Sequence, residues 1–386
     1  MPASNMKILT AFAALDKLGP DAHLVTEARI GGGVGGIAKD GRVDGPLYLV
    51  GGGDPLLETD AYAEAQLDRT VTPPSDHRDL HTRLADLADA VAGAGVKTIT
   101  GGIVGDDSRF DALRKVATWE PNYQPDGEVG PLGALMVDDG MTVLPPATAL
   151  APDPAIHAAT VFAGMLRERG ITVGGGESHA VAPAGATPVA SLPSAAVRDI
   201  VGEMMRQSDN TTAEVLLKEL GYRFGGAGSS AAGATVVHDA LAARNLPVSG
   251  LVMHDGSGLD RGDRVTCDLL AGALVADGRR SPLADGLAVP GMPGTLQKRF
   301  VAGVTASLKD RLRGKTGTLK GVSALSGWID APPGATVGPL TFSLVANGLP
   351  KAALGPALAD KVAAALATFP SAPSLEALGP KPAVAS

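Results

Sequence analysis

The chain has 386 residues, room for two domains, and its 45% hydrophobic and 19% charged residues are the balance of an ordinary globular protein. Its formal charge is −8 and its Lys and Arg form no block, which argues against a nucleic-acid partner; no apolar run reaches the about 20 residues of a membrane-spanning helix. Cys267 is the single cysteine, which excludes an internal disulfide and a cysteine-based metal site, and in TCDLLAGALVADG it reads as a small buried hydrophobe.

Residues 4–18 carry Met6, Ile8, Leu9, Phe12, Leu15 and Leu18 among alanines and are stopped by Gly19-Pro20. This predicts a helix apolar nearly all round, buried at the centre of a domain. HLVTEARIGGG and GPLYLVGGGDPLL read as strands and turns, DLHTRLADLADAVAGAG as an amphipathic helix, and TITGGIVGDDSRFD as a strand. Residues 121–188 are rich in Pro, Gly and Asp, with a helix near AIHAATVFAGMLRERG. From Ser194 helices return. AAVRDIVGEMMRQ leads into SDN, and TAEVLLKELG predicts a helix begun by Thr211 or Thr212 and closed by Gly221. DRLRGKTGTLKGVSALSGWIDA and LTFSLVANGL alternate like paired antiparallel strands, ALADKVAAALATF is a closing helix, and residues 371–386 read as a loose tail. There is no internal repeat. The pattern is α+β: a mixed helix-and-sheet domain built from both chain ends and interrupted by a second domain.

Three short motifs occur in order, Ser4-x-x-Lys7, Ser208-Asp209-Asn210 and Lys315-Thr316-Gly317, the set found in penicillin-binding proteins and class A β-lactamases. Each alone is weak; Ser4 and Lys7 by themselves describe a capped helix with a solvated lysine. Together they fit one chemistry. A serine at a helix start sees free N–H groups and the positive end of the dipole, which favour developing negative charge. Lys7, one turn on, projects to the same side, and a lysine that is desolvated and crowded by a second cation, Lys315, becomes a base. Ser208 and Asn210, in the joint between two helices, offer a hydroxyl for proton transfer and an amide for a peptide backbone. Lys315 and Thr316 on an edge strand suit a carboxylate, and Gly317 allows close backbone approach.

Competing readings fail on particular residues. GKT also ends a P-loop, but Lys309 stands where that loop needs glycine, and no helix pattern follows GGGVGG at 31–36. His77 and His81 have the i, i+4 spacing of zinc ligands but lack an adjacent Glu and a third ligand, so they read as polar positions at a helix start. His254, Asp255 and Ser257 in MHDGSGLDR lie too close in sequence for a Ser-His-Asp triad and lack the nucleophile elbow; the segment reads as a turn-rich loop lining the site.

Beyond the motifs, LYLVGGGDPLL, GGIVGDDSRFD, MRQSDNTTAEVLLKELG, HDGSGLDRGDRVT, PGTLQKR and GKTGTLKGVSALSGW resemble segments of the D-alanyl-D-alanine carboxypeptidase/endopeptidases, the class C low-molecular-mass penicillin-binding proteins. Ser208 follows Ser4 by 204 residues, a gap that a class A β-lactamase has no room for and that this family fills with an extra domain. The resemblance implies a penicillin-binding domain at 1–27 and 187–370, an inserted mixed α/β domain at 28–186 and a flexible tail at 371–386. It implies attack by Ser4 on peptidoglycan stem peptides ending in D-Ala-D-Ala, with Lys7 as base and Ser208 passing a proton to the departing D-alanine. Asn210 would hold the substrate backbone, and Lys315, Thr316 and Thr318 its terminal carboxylate. The N–H groups of Ser4 and Thr318 would form the oxyanion hole. Arg261 reads equally as a substrate contact or as a structural loop arginine. β-Lactams would acylate Ser4; no metal or cofactor is implied, and the place of work is the periplasmic or extracellular cell-wall space. Members of the family carry an export signal, then a helix and strands that complete the central sheet, before the nucleophile. Here Met1, Pro2 and Ala3 precede Ser4, so a further N-terminal portion is expected. A non-catalytic peptide-binding homologue, or a β-lactamase or esterase on the same scaffold, are the alternative readings.

Overall fold

A computed structural model describes residues 1–31, 36–69, 80–143, 149–351 and 353–370. The tail at 371–386, most of GGGVGG and His77 of the histidine pair lie outside the described residues.

A short 3-10 turn, Ala3–Met6, runs into helix Lys7–Lys17, and every residue from Lys7 to Leu15 is buried. Between Ile8 and Ala14 only Thr10 is polar, so the helix has no face to offer water and has to be enclosed on all sides. Helices Val197–Gln207, Asn210–Phe224, Ser230–Ala243 and Cys267–Asp277 surround it, and Phe12, Met204, Leu217, Leu270 and Trp328 share its core.

Trp328 comes from an antiparallel sheet of three strands, Leu312–Leu319, Val322–Ile329 and Leu340–Asn347, adjacent in that order. All eight residues of the middle strand are buried, as its near-continuous small and apolar run requires. The closing helix Leu354–Leu366 covers the opposite face through Ala359 and Ala363, against Phe342 and Leu325.

The second body is a five-stranded mixed sheet in the order Ser178–His179, Ile103–Asp106, Leu47–Val50, Val25–Ile30 and Thr187–Pro193. Val25 pairs with Pro193, so the strand by which the chain enters and the strand by which it leaves lie side by side. That is the geometry of an insertion into a continuous parent domain. Helices Leu84–Gly93 and Pro154–Glu168 pack on the sheet around Phe162, Leu87 and Leu166.

Three expectations differ in detail. TITGGIVGDDSRFD is two strands, because Thr98–Ile99 joins a separate parallel sheet with Arg42–Val43 and Thr172–Val173. The helix after SDN is capped by Asp209, which accepts from the Thr212 amide, and it continues through Gly221 to Phe224. Gly221 is there for room: a Cβ would stand 2.7 Å from the carbonyl oxygens of Ala227 and Ser229. Cys267 is exposed, since it opens its helix behind the Thr266 cap and the buried side is carried by Leu269, Leu270, Ala273 and Leu274. Among the described residues no helix is long and apolar enough to cross a membrane.

Candidate active site

Ser4 sits in the 3-10 turn with its backbone pinned from two directions. Ala3 before it has φ +49°, a left-handed conformation costly for a residue with a side chain, and Asn5 after it donates to Ser326 Oγ at 2.7 Å. Ser326 Oγ in turn lies 2.8 Å from Ser343 Oγ on the outer strand, so a polar chain runs across the sheet beneath the turn.

Lys7 is fully buried and spends its three donors on Ser4 Oγ (3.1 Å), Asn210 Oδ1 (2.6 Å) and the Ser257 carbonyl (2.9 Å). Burial pushes its pKa down to about 8, against the opposing pull of Asp255, Asp209, Glu214 and Glu128. Lys315, also fully buried, donates to Ser208 Oγ and to the Thr316 carbonyl, both at 2.8 Å. Burial first, and Lys7 second, hold it well below the ordinary lysine value.

Ser208 has φ +66° and ends helix Val197–Gln207, while Asp209 starts the next helix, so this sharp joint aims Ser208 and Asn210 together at the two lysines. Strand Leu312–Leu319 brings Gly317 against the Ser4 turn. On its outer side the strand makes a bridge only at Gly314, to Ala288, among the described residues. Thr316, Gly317 and Thr318 beyond that bridge border an open cleft of about 1160 Å³ that also contains Ser4, Ser208, Asn210 and Arg261. Arg261 donates to the Lys320 carbonyl at 3.2 Å, so it both lines the cleft and ties two of its loops.

All nine residues singled out by motif or resemblance therefore converge around one cleft. Sequence reasoning missed its opposite wall, formed by Glu120, Asn122, Tyr123 and Glu128 from the irregular stretch 107–136 of the inserted body. This stretch is fastened to the helix after SDN: Asn210 Nδ2 donates to the Glu128 carbonyl at 2.7 Å, and the Gly130 amide to Thr211 Oγ1 at 3.0 Å. Arg109 clasps buried Glu219 through two bonds of 2.7 Å, and Lys218 donates to Asp111. The signal in the sequence was Trp119 and Tyr123, two of six Trp and Tyr residues, standing four apart in a chain poor in aromatics. No group of three or more His, Cys, Asp or Glu able to hold a metal occurs among the described residues, and His81 lies 3.8 Å from Asp60 on the inserted body, away from the cleft.

The chain is 31% identical to a D-alanyl-D-alanine carboxypeptidase of Actinomadura sp. (strain R39), over 90% of this chain and 73% of that protein. Penicillin-binding protein 4 of Haemophilus influenzae shares the fold with a TM-score of 0.74 at 21% identity, covering 91% of this chain and 85% of that one. A predatory endopeptidase of Bdellovibrio bacteriovorus, solved acylated by penicillin G and bound to an immunity protein, matches with a TM-score of 0.51 at 17% identity over 94% and 83% of the two chains. The model of the D-Ala-D-Ala carboxypeptidase 3 (S13) family matches residues 1–150 and 145–369, which leaves only the last residues outside it. The family model spans both bodies and all three motifs, and the chain belongs to the D-Ala-D-Ala carboxypeptidase 3 (S13) family.

Proposed function

We propose that this peptidase is a serine-type D-Ala-D-Ala carboxypeptidase that works through an acyl-enzyme on Ser4. One observation carries the assignment. Of the three partners of Lys7 Nζ, Asn210 Oδ1 and the Ser257 carbonyl can only accept, whereas the Ser4 hydroxyl can also donate. Once Lys7 loses its extra proton, its lone pair can be filled only by the Ser4 O–H, and that hydrogen bond is the path of proton abstraction.

The stem peptide lies extended along Thr316–Thr318, where the outer edge of the strand borders the cleft, with its terminal carboxylate near Lys315, Thr316 and Thr318. Ser4 Oγ attacks the carbonyl between the two terminal D-alanines as Lys7 takes the proton. The oxyanion is met by the N–H groups of Ser4 and Thr318, an arrangement that contributes about 3 kcal/mol per donor in comparable enzymes. Ser208, held by Lys315, passes a proton to the departing D-alanine, and water then hydrolyses the Ser4 ester, freeing the shortened stem with a new carboxylate and restoring the Ser4 hydroxyl. A β-lactam enters the same steps but its leaving group stays attached, so the acyl-enzyme persists. Work on stem peptides places the protein in the periplasmic or extracellular cell-wall space. Cleavage within cross-linked peptides is a second reading, favoured by the size of the cleft, about 1160 Å³, and by a lining that continues past Gly321 to Leu349 and Pro350.

The test is covalent labelling by a fluorescent penicillin, wild type beside Ser4→Ala. Label on the wild type alone supports the reading. A folded wild type that takes no label is a peptide-binding homologue without turnover.

A further inference from the structure

Beneath Lys7 lies a group of buried acids that the mechanism above does not use. The loop 254–260 wraps under the base: the Ser257 carbonyl accepts from Lys7 Nζ, and the Gly256 carbonyl from Thr10 Oγ1 one turn further along the same helix. Three carboxyls hold this loop from below. Glu214 Oε1 accepts the amides of Gly256 (2.9 Å) and Ser257 (2.8 Å), and Asp263 Oδ1 accepts the His254 amide at 2.8 Å. Asp255 accepts three N–H donors, from Gly258 and Asp260 in the loop and from the indole of Trp119, each at 2.7 Å. All three side chains are buried.

Three adjacent buried carboxyls do not all ionise; the proton leaves the one whose charge is best solvated by N–H groups. Glu214 Oε2 and Asp263 Oδ2 have no hydrogen-bond partner, while both oxygens of Asp255 are engaged. We propose that Asp255 is the positioning residue for the base: its two oxygens take three N–H donors, it faces Lys7 through the loop that holds that lysine, and the Trp119 indole ties it to the stretch that forms the cleft wall. The other charged groups around Lys7 are Asp209 on the SDN joint, Glu128 on the wall and Lys315 on the strand. Among the acids Asp255 favours the charged lysine most. Burial and the Asp255 charge drive the Glu214 pKa up to about 8 and that of Asp263 up to about 10, in keeping with a charge on the central member. Because Trp119 belongs to the same stretch as Tyr123 and Glu128, the wall against which a substrate packs is joined by one hydrogen bond to the acid that tunes its base.

The inference rests on Lys7 acting as base for Ser4, so the experiment is the pH dependence of acylation by a fluorescent penicillin, with Ser4→Ala as control. A wild type that takes no label on Ser4 defeats the functional reading itself. With label on the wild type, Asp255→Asn is expected to move the acidic limb of the rate profile down by about one pH unit, since the charged lysine loses its main counter-charge. Asp263→Asn, which replaces a neutral acid by a neutral amide, is expected to leave the limb in place. A slower Asp255→Asn with an unmoved limb, or a limb moved by Asp263→Asn, would overturn the inference. Should Asp255→Asn not fold, carbon-13 NMR of wild-type protein labelled at aspartate Cγ decides. At pH 7.5 it should show a protonated carboxyl that disappears in Asp263→Asn, and an ionised Asp263 would defeat the assignment.

Discussion

A Cβ placed on Gly317 would stand 3.2 Å from the Ser4 amide nitrogen and 2.9 Å from the Pro2 carbonyl. The edge strand and the Ser4 turn therefore touch backbone to backbone, as the proposed oxyanion hole of one N–H from each requires. Gly317→Ala should open this contact by a few tenths of an ångström and lower the penicillin acylation rate by about ten- to a hundredfold, because the reaction is sensitive to displacements of that size. Circular dichroism should show an unchanged fold, and stopped-flow labelling gives the rate.

The buried Lys7 ties activity and stability to pH in the same direction. Its pKa is near 8 folded against 10.5 for the free side chain, so acylation should climb with pH and level off above about 8. Between these two values the unfolded chain binds more protons than the folded one, so folded stability from this group rises with pH and is lowest below about 8. The gain over the interval is on the order of 3 kcal/mol. Urea unfolding at pH 8 and pH 10 should show the wild type gaining on Lys7→Met; parallel profiles would contradict the depressed value.

Asn210 joins Lys7 to the cleft wall, accepting from the Lys7 ammonium and donating to the Glu128 carbonyl. Asn210→Ala should therefore have two effects at once. Acylation should fall by about a hundredfold as Lys7 loses its shortest partner, and limited proteolysis should begin to cut within residues 107–136. Loss of rate without new cleavage would show that the wall is held by its other bonds alone.

Glu219 has no exposed side-chain surface and is neutralised by Arg109 and Arg223, while Arg109 also lies 4.2 Å above the Tyr222 ring. Arg109→Ala leaves a buried carboxylate with one partner instead of two and should cost about 2 kcal/mol in urea unfolding. Arg109→Lys should recover little of this, since a single ammonium cannot make the paired contact.

The site was legible where chemistry is written in short motifs. Ser4, Lys7, Ser208, Asn210, Lys315 and Thr316 are each recognisable within three or four letters, and the apolar run after Ser4 placed the first pair at the head of a central helix. The far wall was not legible, because Glu120, Asn122, Tyr123 and Glu128 come from irregular backbone whose course is set by distant partners such as Thr211, Glu219 and Asp255. No periodicity marks such a stretch. The helix after SDN runs past its expected close at Gly221 to Phe224 for a similar reason: Gly221 serves the packing of helix Ser230–Ala243 and not the end of its own. Cys267 departs from the burial its residue type suggests because its place in the first turn, behind the Thr266 cap, faces solvent.

Asn5, Ser326 and Ser343 form a tether from the residue beside the nucleophile to the outermost strand. No residue of Leu340–Asn347 lines the cleft, so this strand meets the Ser4 turn only through the sheet and its hydroxyls. Ser343→Val would cut the tether without touching any reacting group. The rim of the sheet is thus part of what fixes the Ser4 turn, and a loss of acylation rate in Ser343→Val with an unchanged circular dichroism spectrum would measure its share.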